Sequence, residues 1–189
     1  GERSAIVGYL GQYEFAALRT IEALREGTLV SVRLADVKAG QIDDFQLRLT
    51  DRLDAYQVKW SRLPGSIGYA EFVHDSKGRT RYIRQLAEGW ERLTAMHRPL
   101  RVVVHFVTND LASNRTSKSI SRAANECQSS TTRSFAAFLA EAWRPATEAA
   151  RAGIDPTTVV PAEWAPAMAL FAEASGLKGD VWVRFLADC

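Results

Sequence analysis

Val102-Val103-Val104-His105-Phe106-Val107 constrains this chain more than any other stretch, because five of its six residues are apolar and they do not alternate. A strand with water on one side alternates apolar and polar residues. A continuous apolar run reads as a strand buried on both faces, within a sheet covered on each side. Just upstream, Arg81 to Met96 carries Tyr82, Ile83, Leu86, Trp90 and Leu93 on one helical face. Pro99 ends the connection. A helix feeding a buried strand in this way is the pattern of a crossover into one sheet.

Three shorter segments supply the rest of that sheet. Leu29 to Ala35 alternates, and Asp43 to Leu49 alternates through Phe45, Leu47 and Leu49. Ala55 to Trp60 places Tyr56, Val58 and Trp60 on one side. Lys38-Ala39-Gly40-Gln41 and Asp51-Arg52-Leu53-Asp54 read as the turns between them, which makes an antiparallel meander. Ahead of it, Gln12 to Arg25 reads as a helix whose Phe15, Leu18, Ile21 and Leu24 form one apolar stripe, closed by Gly27. After Asn109 the chain turns rich in Ser, Asn and Thr up to Thr132, with a polar helix expected inside it. Helices follow at Ser134 to Trp143, interrupted by Pro145, and at Ala162 to Ser175, stopped by Gly176. The order is α-β-β-β-α-β, then a helical C-terminal third. The fold class is α/β: a central mixed sheet flanked by helices, with a helical C-terminal extension. The expected division is a core over residues 1–140 and the extension over 141–189, leading into a further domain of a longer protein.

At 189 residues, 47% apolar and 24% charged, the chain is long enough for a real core, and disorder is not its default. A net charge of +2 is too small to argue for nucleic acid by itself, so any DNA-binding surface depends on local placement of Arg and Lys. Cys127 and Cys189 lack a CxxC spacing and read as reduced thiols, and His74, His97 and His105 make no zinc pattern. No stretch approaches a membrane span, and the N-terminus lacks a signal-peptide layout, so the chain reads as cytoplasmic. His105 reads as a satisfied core histidine, and the five tryptophans as core or interface anchors.

One constellation can carry chemistry. Gln57 and Lys59 lie two apart on one strand and leave the same face. A hairpin-like pairing brings Asp44 beside them. A carboxylate at a strand end holds a hard cation through oxygen. The Gln57 amide oxygen and the Val58 backbone carbonyl are neutral second and third ligands. A cation there lowers the pKa of a bound water, and the Lys59 ammonium stabilises developing charge. This set suits phosphodiester hydrolysis. The same residue types on the solvated face of a half-buried sheet are also ordinary surface. Arg62, Lys77, Arg79, Arg81 and Arg84 flank the site in sequence, and Arg115, Lys118, Arg122 and Arg133 lie in the polar segment. Each group is either a phosphate contact or a solvated face.

The order of these pieces resembles the PD-(D/E)xK, or restriction-endonuclease-like, superfamily, in its QxK branch. That branch includes Mrr-like enzymes and the effector nuclease domains of cyclic-oligonucleotide and STAND ATPase antiphage systems. Gly8-Tyr9-Leu10-Gly11-Gln12-Tyr13-Glu14 with Ala17-Leu18 is similar to the family's opening helix. Ile42-Asp43-Asp44-Phe45 is similar to its metal-binding Asp motif, and Tyr56-Gln57-Val58-Lys59 to its QxK strand. Leu86 to Trp90, Val104 to Asn109, and Ser134-Phe135 with Phe138-Leu139 resemble the later elements. The resemblance implies a restriction-endonuclease-like core that cleaves double-stranded DNA with Mg²⁺, or Mn²⁺ in its place. Asp44 would be the metal carboxylate, Gln57 the second ligand and Lys59 the catalytic lysine. Asp43 is the rival of Asp44. Glu14 or Gln12 would be the additional helix residue, and Asp36 the one candidate for an acidic residue before the Asp motif. The resemblance also implies non-specific cutting as an antiphage effector, activated when a downstream sensor or ATPase module gathers copies. Two alternatives remain open: a weakened DNA- or protein-binding module of the same fold, and a helical interaction domain with no nucleic-acid role.

Overall fold

The computed structural model of the protein describes residues 2–34, 42, 44–75, 80–114 and 134–189. The turn expected at Lys38 to Gln41, the rival Asp43, the candidate Asp36, Lys77 and Arg79, and the Arg and Lys residues expected between 115 and 133 lie outside them. The chain forms two compact units, residues 1–65 with 88–111 and residues 66–87 with 112–189.

The first unit is built on a mixed four-stranded sheet. Helix α1 (Glu2–Arg25) leads into β1 (Leu29–Leu34), β2 (Phe45–Leu49) and β3 (Arg52–Lys59), all antiparallel neighbours. Strand β4 (Ser66–Ile67), helix α2 (Tyr69–Val73) and helix α3 (Tyr82–Met96) precede β5 (Arg101–Thr108), which returns parallel to β3. The sheet order is β1-β2-β3-β5. The apolar run 102–107 is therefore the parallel strand, buried at Val102 to Val104 and half-buried beyond because it borders the described sheet. Phe45, Leu47, Leu49, Tyr56 and Val58 make one apolar face, packed with Ala16 and Ala23 of α1.

Two local expectations fail here for physical reasons. Asp51 to Asp54 is not a four-residue turn: β3 already starts at Arg52, and Arg48 pairs with Leu53 and Leu47 with Asp54. Asp54 tolerates strand burial because Arg52 Nε lies 2.8 Å from its carboxylate. Of the stripe Phe15, Leu18, Ile21 and Leu24, only Phe15 packs on the core of the sheet. Ala16 and Ala23 are buried, whereas Leu18, Ile21 and Leu24 are each more than half exposed. Ala16 and Ala23 let the helix approach the sheet closely, Phe15 packs edge-on against Phe45 and Tyr56, and Leu18, Ile21 and Leu24 face outward.

The second unit packs aromatic rings. Helix α4 (Phe135–Phe138) passes through a π-turn segment (Leu139–Trp143) into α5 (Arg144–Arg151), followed by α6 (Ala165–Ser175) and α7 (Gly179–Ala187). Ring centroids of Phe138 and Phe171 lie 4.8 Å apart, and those of Tyr69 and Phe135 5.1 Å apart. Pro145 does not break the helix as expected. The turn ahead of it widens, with Arg144 N–H donating to Leu139 O, which leaves room for the proline ring. Strand β6 (Leu111–Ala112) and β4 mark two points where the chain passes between units. Among the described residues no helix is long and apolar enough to cross a membrane.

Candidate functional site

Asp44 lies in the bend that opens β2, and Phe45, its neighbour, pairs with Tyr56. That register brings Asp44 to the level of Gln57 and Val58. Gln57 Nε2 and Val58 N–H both donate to Asp44 Oδ2 at 2.5 Å. From α1, Gln12 Nε2 donates to Asp44 Oδ1 at 3.3 Å and to Val58 O at 3.1 Å. One amide nitrogen thus bridges a carboxylate oxygen and a backbone carbonyl, so these two acceptors converge on a common point.

Three packing devices hold this arrangement. Ile42, two residues before Asp44, is fully buried. Its side chain fills the space where a Cβ on Gly89 of α3 would come within 2.5 Å. Gly11, next to Gln12, lies flat against the Trp60 indole, where a Cβ would meet the ring at 2.3 Å. The Asn109 side chain clasps the chain beyond β3: Ser61 N–H donates to its Oδ1 at 2.9 Å and its Nδ2 donates to Ser61 O at 2.6 Å. These contacts set the level of Lys59, which pairs in register with Thr108.

Gln57 is buried at 2% exposure, whereas Lys59 is half-buried. The two share a strand face, as residues two apart must. No hydrogen bond or ion pair to the Lys59 side chain occurs among the described residues. Glu14 is exposed and about 200° around α1 from Gln12. Of the two helix candidates, the structure brings Gln12 to Asp44 and leaves Glu14 off the site. Arg62 is exposed. In the second unit Arg81 is engaged with Asp75 and Val73 O, and the Arg84 guanidinium lies where a Cβ on Gly176 would come within 3.0 Å.

The acceptors that meet at this point are both oxygen, the Asp44 carboxylate and the Val58 carbonyl, with the Gln57 amide beside them. Hard divalent cations take such ligands. Among the described residues no group of three or more His, Cys, Asp or Glu could hold a metal. A cation at Asp44 would rest on one described carboxylate and neutral oxygens. Gln57 turns its Nε2 toward Asp44, and its amide would have to rotate by half a turn to present oxygen.

A second carboxylate of this unit has a different setting. Asp54 is buried, with Arg52 at 2.8 Å and His105 Nε2 at 3.9 Å. Burial pushes its pKa up, but the neighbouring His105 imidazole and Arg52 guanidinium outweigh that and hold it below the usual carboxylate value. His105 stacks on Tyr56 at 4.5 Å. Its side chain is about a third exposed and its Nε2 finds no hydrogen-bond partner among the described residues, so it is not the satisfied core histidine expected. No family model, no curated protein and no solved structure matches this chain.

Proposed function

We propose that the chain is a magnesium-dependent DNA endonuclease with a restriction-endonuclease-like core, of the QxK branch of the PD-(D/E)xK superfamily. The single observation that carries this reading is the meeting of Asp44 with Gln57 and Val58, two and one residues before Lys59 on β3. The element order supports it: a leading helix, three antiparallel strands, a helix and a parallel strand. In this reading Asp44, the Val58 carbonyl and the Gln57 amide would hold the cation. When bound, the cation supplies an acidified water and neutralises charge on the phosphate. Gln12 holds Asp44 in place when the cation is absent and yields that point to it. Lys59 places its ammonium where charge develops on the phosphate oxygens. With one described carboxylate, the chain's own residues would hold such a cation weakly. Cutting is non-specific and matches an antiphage effector gathered into active assemblies by a further module.

The test is cleavage of supercoiled plasmid by the full chain in Mg²⁺, for wild type and Lys59→Ala of equal thermal stability. Wild-type cutting with binding but no cutting by Lys59→Ala is expected. Equal cutting by both overturns the assignment of Lys59. The second reading, a module of the same fold that docks DNA without cutting it, is favoured by the single described carboxylate. It predicts salt-dependent DNA binding with no Mg²⁺-dependent product.

A further inference from the structure

Polar side chains from three segments of the first unit line a recess of about 230 Å³: Ser31 and Arg33 of β1, Gln46 and Arg48 of β2, and His97 just after α3. Leu53 of β3 supplies an apolar wall. The strand register explains the grouping. Phe45, Leu47 and Leu49 share the face that α1 covers, so the alternate residues Gln46 and Arg48 leave the other face. Ser31 pairs with Arg48, and Arg33 with Gln46. Such cross-strand partners stand about 5 Å apart, and residues two apart on one strand about 7 Å. Four donor-bearing side chains thus rise from the corners of a small rectangle, with the two arginines on one diagonal.

Arg48 points to a ligand. Its guanidinium makes no hydrogen bond or ion pair among the described residues, and its Nη1 is closed off from solvent. A buried charged donor without an acceptor costs far more than one left in water. Gln46, 2% exposed, makes the floor of the recess polar as well. Arg33 stands across the diagonal, and like charges at that range repel unless an anion lies between them. No Asp or Glu among the described residues lines the recess. At the start of β3 the chain answers a guanidinium with its own carboxylate, Arg52 beside Asp54 at 2.8 Å. At Arg48 the described chain provides none.

The donors define the class of anion. A carboxylate is planar, and one guanidinium fork serves both of its oxygens. Here two guanidiniums, an amide, a hydroxyl and an imidazole approach from two strands and from the segment after α3. That array suits a tetrahedral group with three or more acceptor oxygens. Two cations match the charge of a phosphate monoester, about −1.5 to −2 at neutral pH. The volume falls short of the roughly 300 Å³ where pockets for larger ligands begin, so one such group with a short substituent fills it. A phosphodiester inside a strand carries a single charge and a sugar on each side, which suits an open surface and not a recess.

We propose that this recess binds a terminal phosphate group, as inorganic phosphate or a phosphate monoester. None of its residues belongs to the Asp44 cluster, and binding is read without Mg²⁺, so the inference stands or falls apart from the proposed cleavage. Isothermal titration calorimetry of the full chain in chloride buffer tests it. Inorganic phosphate and methyl phosphate should bind at millimolar concentration or below, and dimethyl phosphate and acetate at least about 10-fold more weakly. Arg48→Met keeps an unbranched stem and removes the charge. It should weaken phosphate binding by at least about 10-fold. Without phosphate it should unfold in urea no earlier than wild type, because it deletes a buried cation that has no partner. Arg33→Gln, at an exposed position, carries the same expectation for binding and serves if Arg48→Met fails to fold. Absence of phosphate binding, binding unchanged in both variants, or equal binding of dimethyl phosphate or acetate each overturns the proposal. Competition then names the source of the group. A 5′-phosphorylated oligonucleotide that displaces methyl phosphate, where its 5′-hydroxyl counterpart does not, assigns a strand end; displacement by neither assigns a small phosphate monoester.

Discussion

Asp44 and Asp54 stand on adjoining segments of one hairpin, yet the fold treats them oppositely. Asp54 is buried between the Arg52 guanidinium and the His105 imidazole, so its charge is balanced by a cation of the chain itself, Arg52. Asp44 is half-buried and takes hydrogen bonds from three amides, those of Gln12, Gln57 and Val58. Those three donors come from α1 and β3 and fix the direction of the carboxylate. Asp54 belongs to the folding energetics, and Asp44 is the residue of the pair to which the proposed function assigns chemistry.

The sharpest way to break this comparison is to neutralise each in turn. Asp44→Asn should lower plasmid cleavage by at least about 100-fold while thermal stability changes little. A variant that cuts normally would remove Asp44 from the site. Asp54→Asn should do the reverse, costing about 2–3 kcal/mol in urea unfolding. That is below the cost of splitting a fully buried pair, because Arg52 is more than a third exposed. Cleavage per folded molecule should be unchanged; loss of activity without loss of stability would show that the two roles are not separate.

Acid sharpens the same distinction. The Asp54 pKa is lowered in the folded chain, so its contribution to stability is complete above the unfolded carboxylate value of about 3.9. It is lost as pH falls through the lower folded value. Urea unfolding at pH 7 and at successive steps below pH ~4 should show wild type losing an increment that Asp54→Asn lacks. Parallel acid limbs for the two proteins would rule that out.

Smaller effects concern the packing that holds Asp44. Gly89→Ala drives a methyl into Ile42, and Gly11→Ala drives one into Trp60. Each should cost about 1–3 kcal/mol. Each should also reduce cleavage beyond its effect on folding, because Ile42 and Gln12 move with the displaced backbone. The smallest expected effect is that of Mg²⁺ alone. At ten times its dissociation constant it would stabilise the fold by about 1.4 kcal/mol. That gain should survive Asp54→Asn and vanish in Asp44→Asn; the opposite pattern would place the cation at the structural carboxylate.

Much of the sheet was legible because its signals are local. Alternation through Phe45, Leu47 and Leu49 records which side chains face a core, and the unbroken run at Val102 to Val104 records cover on both faces. Gln57 and Lys59 share a face by spacing alone. What misled was polarity or size taken without a partner. Asp54 looked like part of a turn because the fold of the Arg52 side chain onto it and the approach of His105 from β5 leave no mark in the local sequence. Leu18, Ile21 and Leu24 looked like a core stripe because size was read as burial, while Ala16 and Ala23 made the contact. Pro145 looked like a break because a widened turn carries no mark in the residues themselves.

By itself the sequence determined the strands, the crossover helix and the residue types able to meet at Asp44, because periodicity acts over two to four residues and survives any packing. Only the tertiary structure decided that Gln12 rather than Glu14 reaches Asp44, and which face of α1 turns away from the sheet. The physical reason is that a helix presents several faces of similar merit, and the choice among them rests on close approach to residues distant in the chain: Trp60 against Gly11, and Val58 against Gln12.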